Sequence, residues 1–228
     1  LTILMFNNQI YGLTKGQYSP TSEAGSVTKS SPMGSVDYPF NPLSVALGAG
    51  CSFVARALDS DRKGLDETLT TAAHHRGTSF VEIYQNCPIF NDGAFDDYKG
   101  PEAAERIVRL VDGEPILLGA DRSKGVVRDP VNGSLTVTEV AQVGMDHVVV
   151  HDATRPDPSL AFELAHLHDS GQISQIPLGI LRSVSLPTYD DMVRDQLRLA
   201  GGSADDKPAR DAALQQLLRG NDTWQVHN

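Results

Sequence analysis

The sequence predicts an α/β fold: a parallel sheet flanked by helices, followed by a C-terminal extension. Three observations carry that reading. Apolar runs at residues 1–6, 51–58 and 78–84 have the length and composition of buried parallel strands. A segment with Leu65, Leu69 and Ala72 at helical spacing separates the second run from the third. The resulting order of strand, loop, helix, strand, helix, strand implies crossover connections and parallel pairing.

Each element has its own signal. The first run, Leu-Thr-Ile-Leu-Met-Phe, stops abruptly at Asn7-Asn8. Residues 15–42 are rich in Ser, Gly and Pro, a long loop of the kind that is usually functional or disordered. Asn41-Pro42 starts a helix that runs to about Gly48, with the proline in its first turn. Residues 51–58 form a strand, 61–76 a helix stopped by Gly77, and 78–84 a strand. After Cys87 the character changes. Short β-like runs at 110–118 and 133–140 alternate with Asp, Gly and Pro turns, and 148–151 reads as another short strand. Residues 159–170 read as a helix carrying Leu160, Phe162, Leu164, Ala165 and Leu167, and 177–181 as a last strand. Residues 190–199 and 207–218 read as helices with a break at Gly201-Gly202-Ser203. The chain divides on this reading into 1–109, 110–200 and 201–228.

Composition excludes several function classes. The 228 residues are 40% hydrophobic, enough to bury a core. A formal net charge of −10 argues against nucleic acid as a partner, because phosphate contacts need a basic surface. No apolar run approaches the roughly 20 residues that span a bilayer. Two cysteines do not make a disulfide scaffold and fit a reducing cytoplasm.

The chemistry concentrates at the end of the first run. Ligands of open α/β sheets sit beyond the carboxyl ends of the strands. There Asn7-Asn8-Gln-Ile-Tyr-Gly-Leu-Thr-Lys-Gly-Gln17 and Ser19-Pro20-Thr21 offer amide oxygens, hydroxyls, glycine backbone and one cation. That equipment suits a diphosphate and a hard metal ion. The run from Asn7 to Thr21 resembles the end of the thiamine-diphosphate motif in β subunits of 2-oxoacid:ferredoxin oxidoreductases, in particular 2-oxoglutarate enzymes of actinobacterial type. The resemblance covers nearly the whole chain and is most specific at 7–21 and around Cys87. It implies a thiamine-diphosphate-binding fold. A Gly-Asp-Gly segment opens the motif in that family. The chain begins after it and lacks an initiator Met, so it reads as the C-terminal part of a longer subunit.

The resemblance also implies site residues. Asn8 would supply a side-chain oxygen, and Ile10 a carbonyl, to the Mg²⁺ that bridges the cofactor phosphates. Asn7, Gly12, Leu13 and Thr14 would surround the cofactor. Three roles are open for Lys15: pairing with the diphosphate, binding a substrate carboxylate, or solvation. The substrate role is preferred, since a dicarboxylate such as 2-oxoglutarate needs a cation for its distal end. Leu13, where pyruvate-type relatives are expected to carry Asn, favours larger or broader 2-oxoacids. Cys87, in Gln-Asn-Cys-Pro-Ile-Phe, lies 80 residues after Asn7. It matches the fourth ligand of a [4Fe-4S] cluster whose other three cysteines lie upstream in the family. A lone Cys by itself is more often an idle or buried thiol. Cys51 fits a structural role.

The activity implied is oxidative decarboxylation of a 2-oxoacid, 2-oxoglutarate first, to acyl-CoA and CO₂, with electrons leaving through the cluster to ferredoxin. Pyruvate or a broad range of 2-oxoacids is the alternative substrate. An α subunit would complete the enzyme, in an α₂β₂ arrangement, and would bring the carboxylate that activates the cofactor ring, so no catalytic acid or base is assigned to this chain. Two other classes stay open: a thiamine enzyme that uses no ferredoxin, and a non-catalytic subunit with a relic site. The remaining candidates read as structural. His74-His75 complements a helix end. His147, His151, His166 and His168 are scattered among acids. Asp146, His147, His151 and Asp152 could bind metal by type, but local packing is the preferred reading. Asp96-Asp97 and Asp205-Asp206 read as solvated, and no serine lies in a nucleophile-elbow pattern.

Overall fold

The computed structural model describes residues 1–168, 175–201, 206–221, 224 and 226. In chain order its elements are β1 (Thr2–Asn7), β2 (Ile10–Tyr11), β3 (Gln17–Tyr18), α1 (Pro42–Gly48), β4 (Phe53–Leu58), α2 (Arg62–His74), β5 (Ser79–Tyr84), α3 (Ala103–Arg106), β6 (Ile107–Leu110), β7 (Leu117–Leu118), β8 (Lys124–Arg128), β9 (Leu135–Glu139), α4 (Val140–Val143), α5 (Ser159–Ala165), β10 (Ile176–Ser183), α6 (Tyr189–Gly201) and α7 (Lys207–Arg219). Contacts divide the chain into two compact units, Leu1–Leu186 and Pro187–Asn228.

The first unit is built on a five-stranded sheet in the order β1-β5-β4-β10-β6. β1 pairs in parallel with β5 from Thr2↔Ser79 to Asn7↔Tyr84, and β4 does so from Phe53↔Ser79 to Leu58↔Tyr84. This half is the expected parallel sheet, with α2 between β4 and β5 in the chain. β10 then joins β4 antiparallel, and β6 runs parallel to β10, so the whole sheet is mixed.

The pleat explains why β4 reads as wholly apolar. Val54 faces a core with Leu43 and Leu47 of α1, Leu160 and Leu164 of α5, Leu118 and Val126 of the β7-β8-β9 sheet, and Ile116 just before β7. Its neighbours Phe53 and Ala55 face the other side, where Ala72, Leu65 and Leu69 of α2 cover Val81 and Ile83. The helices start on side-chain caps. Asn41 accepts the Ser44 N–H at 3.1 Å ahead of Pro42, and Asp61 accepts the Gly64 N–H at 3.2 Å.

Three expectations need correction. β1 is not a buried strand. Among the described residues it pairs only with β5, and Ile3, Leu4 and Phe6 are exposed at 41%, 43% and 59%. An apolar run reports that its faces are to be covered but does not identify the covering group. Residues 148–151 form no strand; Val148 and Val150 make isolated bridges to Val127 and Pro115. Val148 instead fills the space above Gly125, where an added Cβ would lie 2.7 Å from its Cγ2. The run at 110–118 splits between β6 and β7, and β8, absent from the sequence reading, holds the middle of the small antiparallel sheet. Lys124, Gly125 and Arg128 hide its two valines from a hydrophobicity pattern.

The second unit consists of α6 and α7, the latter capped by Asp206 with a proline in its first turn. Residues 169 and 170 of the helix expected at 159–170, Gly202 and Ser203 of the expected break, and Asp205 lie outside the described residues. Among the described residues no helix is long and apolar enough to cross a membrane.

Candidate functional site

The chain leaves β1 through a compact loop held by the two asparagines. Asn7 is buried, and its side chain is used at both ends. Its Nδ2 donates to Glu82 Oε1 at 2.8 Å, while its Oδ1 accepts the Gln9 N–H at 3.1 Å and the Thr21 hydroxyl at 2.7 Å. Asn8 is half-buried, and its Oδ1 accepts the Ile10 N–H at 3.2 Å in an Asx turn. Gln9, Lys15 and Gly16 have positive φ, at 54°, 64° and 95°, and these reversals fold β2 onto β3. The Tyr11 carbonyl accepts from Gly16 N–H and from the Thr14 hydroxyl, closing the hairpin.

Beneath this loop lies a buried charged pair that the sequence reading missed. Arg56 Nε donates to Glu82 Oε2 at 2.8 Å, both residues at most 5% exposed by side chain, and the guanidinium sits 5.0 Å above the Tyr84 ring. Glu82 thus bridges Arg56 on β4 to Asn7 on β1, and Asn7 carries the link on to Thr21. A signal was present. Arg56 and Glu82 are lone charges at the fourth position of two apolar strands, and the parallel register sets them opposite one another. A cavity of about 410 Å³ opens beside the pair, lined also by Asn7, Thr21, Tyr98 and His168. Burial there, helped by Glu23, pushes the Tyr98 hydroxyl above its ordinary range.

The segment after β5 packs against the same loop. Gln85 N–H donates to the Asn7 carbonyl at 3.0 Å, and Asn91 Nδ2 donates to the Asn8 carbonyl at 2.9 Å. The Phe90 ring lies over Gly12 and Gly16, where a Cβ added to Gly16 would sit 3.2 Å from it. Cys87 is half-buried in this segment, and its carbonyl accepts the Asn91 N–H at 3.0 Å. The structure therefore brings the Asn7–Thr14 candidates and the Cys87 segment into contact.

Leu13 is 99% exposed, and Lys15 is exposed with no ion pair among the described residues. Lys15 lines an open cleft of about 820 Å³ together with Gln9, Gly16, Lys29 and Phe90. The donor set fits a hard cation in part: the Asn8 amide oxygen and the Ile10 carbonyl are oxygens of the kind Mg²⁺ takes. Among the described residues no three His, Cys, Asp or Glu side chains gather into a metal site. Cys51 is committed elsewhere. Its thiol donates to the carbonyls of Phe53 and Thr78, both at 3.1 Å, and burial pushes its pKa up. For an iron–sulfur cluster the chain offers one thiol of the usual four, Cys87.

Four histidines make hydrogen bonds within the fold. His151 is 1% exposed, its Nε2 bonds the Ile180 carbonyl at 2.7 Å, and burial lowers its pKa. His75 bonds the Ser52 hydroxyl, His166 bonds Ser44, and His74 bonds the Thr70 carbonyl. Asp152 closes a turn with Thr154.

Comparison with known proteins agrees with this geometry. Residues 1–83 match the family described as thiamine pyrophosphate enzyme, C-terminal TPP binding domain. A strand-end asparagine loop on a parallel sheet thus defines the class, a thiamine-diphosphate-binding domain. Over 226 residues, 99% of the chain, the sequence is 54% identical to the 2-oxoglutarate oxidoreductase subunit KorB of Mycobacterium tuberculosis. It is 42% identical over 92 residues, 40% of the chain, to the 2-oxoacid:ferredoxin oxidoreductase subunit beta of Saccharolobus solfataricus. The chain spans 59% of the length of the first relative, and the match to the second covers 30% of that protein. A solved 2-oxoglutarate:ferredoxin oxidoreductase from Magnetococcus marinus, with 2-oxoglutarate, coenzyme A and succinyl-CoA bound, superposes with a TM-score of 0.62 at 27% identity. That match covers 93% of this chain and 57% of the other. The chain is thus similar to subunits of 2-oxoglutarate and 2-oxoacid:ferredoxin oxidoreductases.

Proposed function

We propose that this chain is the part of a 2-oxoglutarate:ferredoxin oxidoreductase β subunit that seats the diphosphate end of thiamine diphosphate. The enzyme would convert 2-oxoglutarate and CoA to the acyl-CoA and CO₂, releasing two electrons to ferredoxin. The observation that carries the reading is the Asn7–Asn8 turn: a buried asparagine locks the strand end, and its neighbour's amide oxygen closes the turn onto the Ile10 N–H. The 54% identity to a subunit named for 2-oxoglutarate supports the substrate.

Bound at this loop, thiamine diphosphate would supply a carbon nucleophile and an electron sink for loss of CO₂. The chain's own groups bind and orient. Asn8 Oδ1 and the Ile10 carbonyl would hold the Mg²⁺ that accompanies the diphosphate. Gly12, Leu13 and Thr14 wall the diphosphate, and Asn7 keeps the turn in place from below. Lys15 lies on the open cleft and pairs with the distal carboxylate of the substrate. Cys87 would be one thiolate ligand of a [4Fe-4S] cluster, whose other ligands would come from outside these residues. An α subunit completes the active site and supplies the acid–base group. Two unpaired thiols and an acidic surface fit a cytoplasmic enzyme.

The test uses the intact α/β complex. Thiamine diphosphate with Mg²⁺ raises its melting temperature by mass action, and Asn8→Ala weakens that binding by roughly 10- to 100-fold or more, the range that loss of even an outer-shell metal partner produces. An unchanged melting temperature at saturating cofactor supports a relic site instead. Iron and sulfide analysis of the same complex separates the ferredoxin-linked enzyme from a thiamine enzyme that lacks a cluster.

A further inference from the structure

We propose that Asn91 is a positioning residue that couples the cofactor loop to the Cys87 segment, so that seating a magnesium diphosphate on the loop is transmitted to residues 85–93. The inference rests on the reading that thiamine diphosphate binds at Asn8 and Ile10. Asn91 holds both sides at once. Its side-chain N–H donates to the Asn8 carbonyl at 2.9 Å, and its backbone N–H donates to the Cys87 carbonyl at 3.0 Å. The Asn8 carbonyl lies within the turn whose Oδ1 holds the Ile10 N–H. A cation that draws on that oxygen loads the turn, and the load reaches Asn91 through one bond.

Two further contacts make the pair of segments move together. Gln85 N–H is bonded to the Asn7 carbonyl, and the Phe90 ring is seated on Gly12 and Gly16. The far side of the segment is braced internally. Asn86 Nδ2 donates to Asp92 at 2.8 Å, Asn86 Oδ1 accepts the Gly93 N–H at 3.0 Å, and the Asn86 N–H donates to Asp59 at 3.0 Å. A stiff segment tied at one end to a ligand-bearing turn relays a displacement instead of absorbing it. In the wild type, then, the two halves of the site are ordered by one event.

Amide hydrogen exchange on the intact α/β complex, with and without saturating thiamine diphosphate and Mg²⁺, tests this. Exchange in peptides covering 7–16 and 85–93 slows by about fivefold or more in the wild type, the low end of ordinary coupling between sites. Asn91→Asp keeps the size of the side chain but has no N–H to donate. In that variant 7–16 still responds to cofactor, while the response of 85–93 falls to less than about a third of its wild-type value. A wild-type response confined to 7–16 overturns the coupling and leaves the cofactor reading standing. An Asn91→Asp complex that responds like the wild type also overturns it. No response in either segment, with no thermal shift, overturns the cofactor reading and the coupling with it. Where Asn91→Asp does not assemble, Asn91→Ala, which also lacks the side-chain N–H, takes its place in the comparison.

Discussion

Glu82 has both carboxylate oxygens engaged, one by Arg56 and one by Asn7, in a place with 1% exposure. Removing one partner of a buried pair leaves the other charge uncompensated. Glu82→Ala is therefore expected to destabilise the complex by about 3–5 kcal/mol, seen as a melting temperature lower by roughly 6–20 °C. It also frees Asn7, so cofactor affinity falls with it. A variant with wild-type melting and affinity contradicts the anchoring role. Lys15 is the opposite case, exposed and outside any ion pair among the described residues, so its substitution leaves stability near unchanged. Lys15→Ala is expected to raise KM for 2-oxoglutarate several-fold more than KM for pyruvate. Equal effects on both substrates would assign Lys15 to the diphosphate.

Among the elements, β10 is the one whose geometry the sequence pattern conceals. Its residues form an apolar run, as expected, but the direction of pairing is not written in composition. It runs antiparallel to β4 and parallel to β6, with a register shift between Ile180 and Arg182. Gly179 sits there at φ 121°, and a Cβ would lie 2.8 Å from the Leu110 carbonyl oxygen. Gly179→Ala is expected to cost about 1–3 kcal/mol through backbone strain and to loosen β6 from the sheet; chemical denaturation measures the loss. The strands β4 and β5 and the helix α2 were legible because each buries residues in the period its geometry demands. β8 was not, since two valines between Lys124 and Arg128 resemble a polar loop. The Asn7–Thr21 loop was legible as a crevice by residue type. Its support from Arg56, Glu82, Phe90 and Asn91 was not, because those contacts depend on register and on a fold-back some 80 residues along the chain.

At the scale of the molecule, pH acts through the interior. Burial holds the His151 imidazole below its ordinary pKa of 6.5, with the Ile180 carbonyl and the nearby Asp112 and Asp152 opposing. The unfolded chain therefore binds this proton more readily than the folded one. Stability from this group is complete above the unfolded value and is lost as the pH falls below it, by at most about 1.4 kcal/mol per pH unit. Denaturation between pH 7 and pH 5 should show this slope, and His151→Gln should flatten it. An unaltered slope in the variant would place the dependence on other groups.

The open side of β1 bears on how these residues behave in the test tube. A parallel edge strand paired on one side only among the described residues, with exposed Ile3 on one face and Leu4 and Phe6 on the other, is a template for cross-strand stacking between copies. Prepared alone, the 228-residue chain should form concentration-dependent assemblies despite its charge of −10, visible by light scattering. A single Leu4→Lys gatekeeper should keep it dispersed.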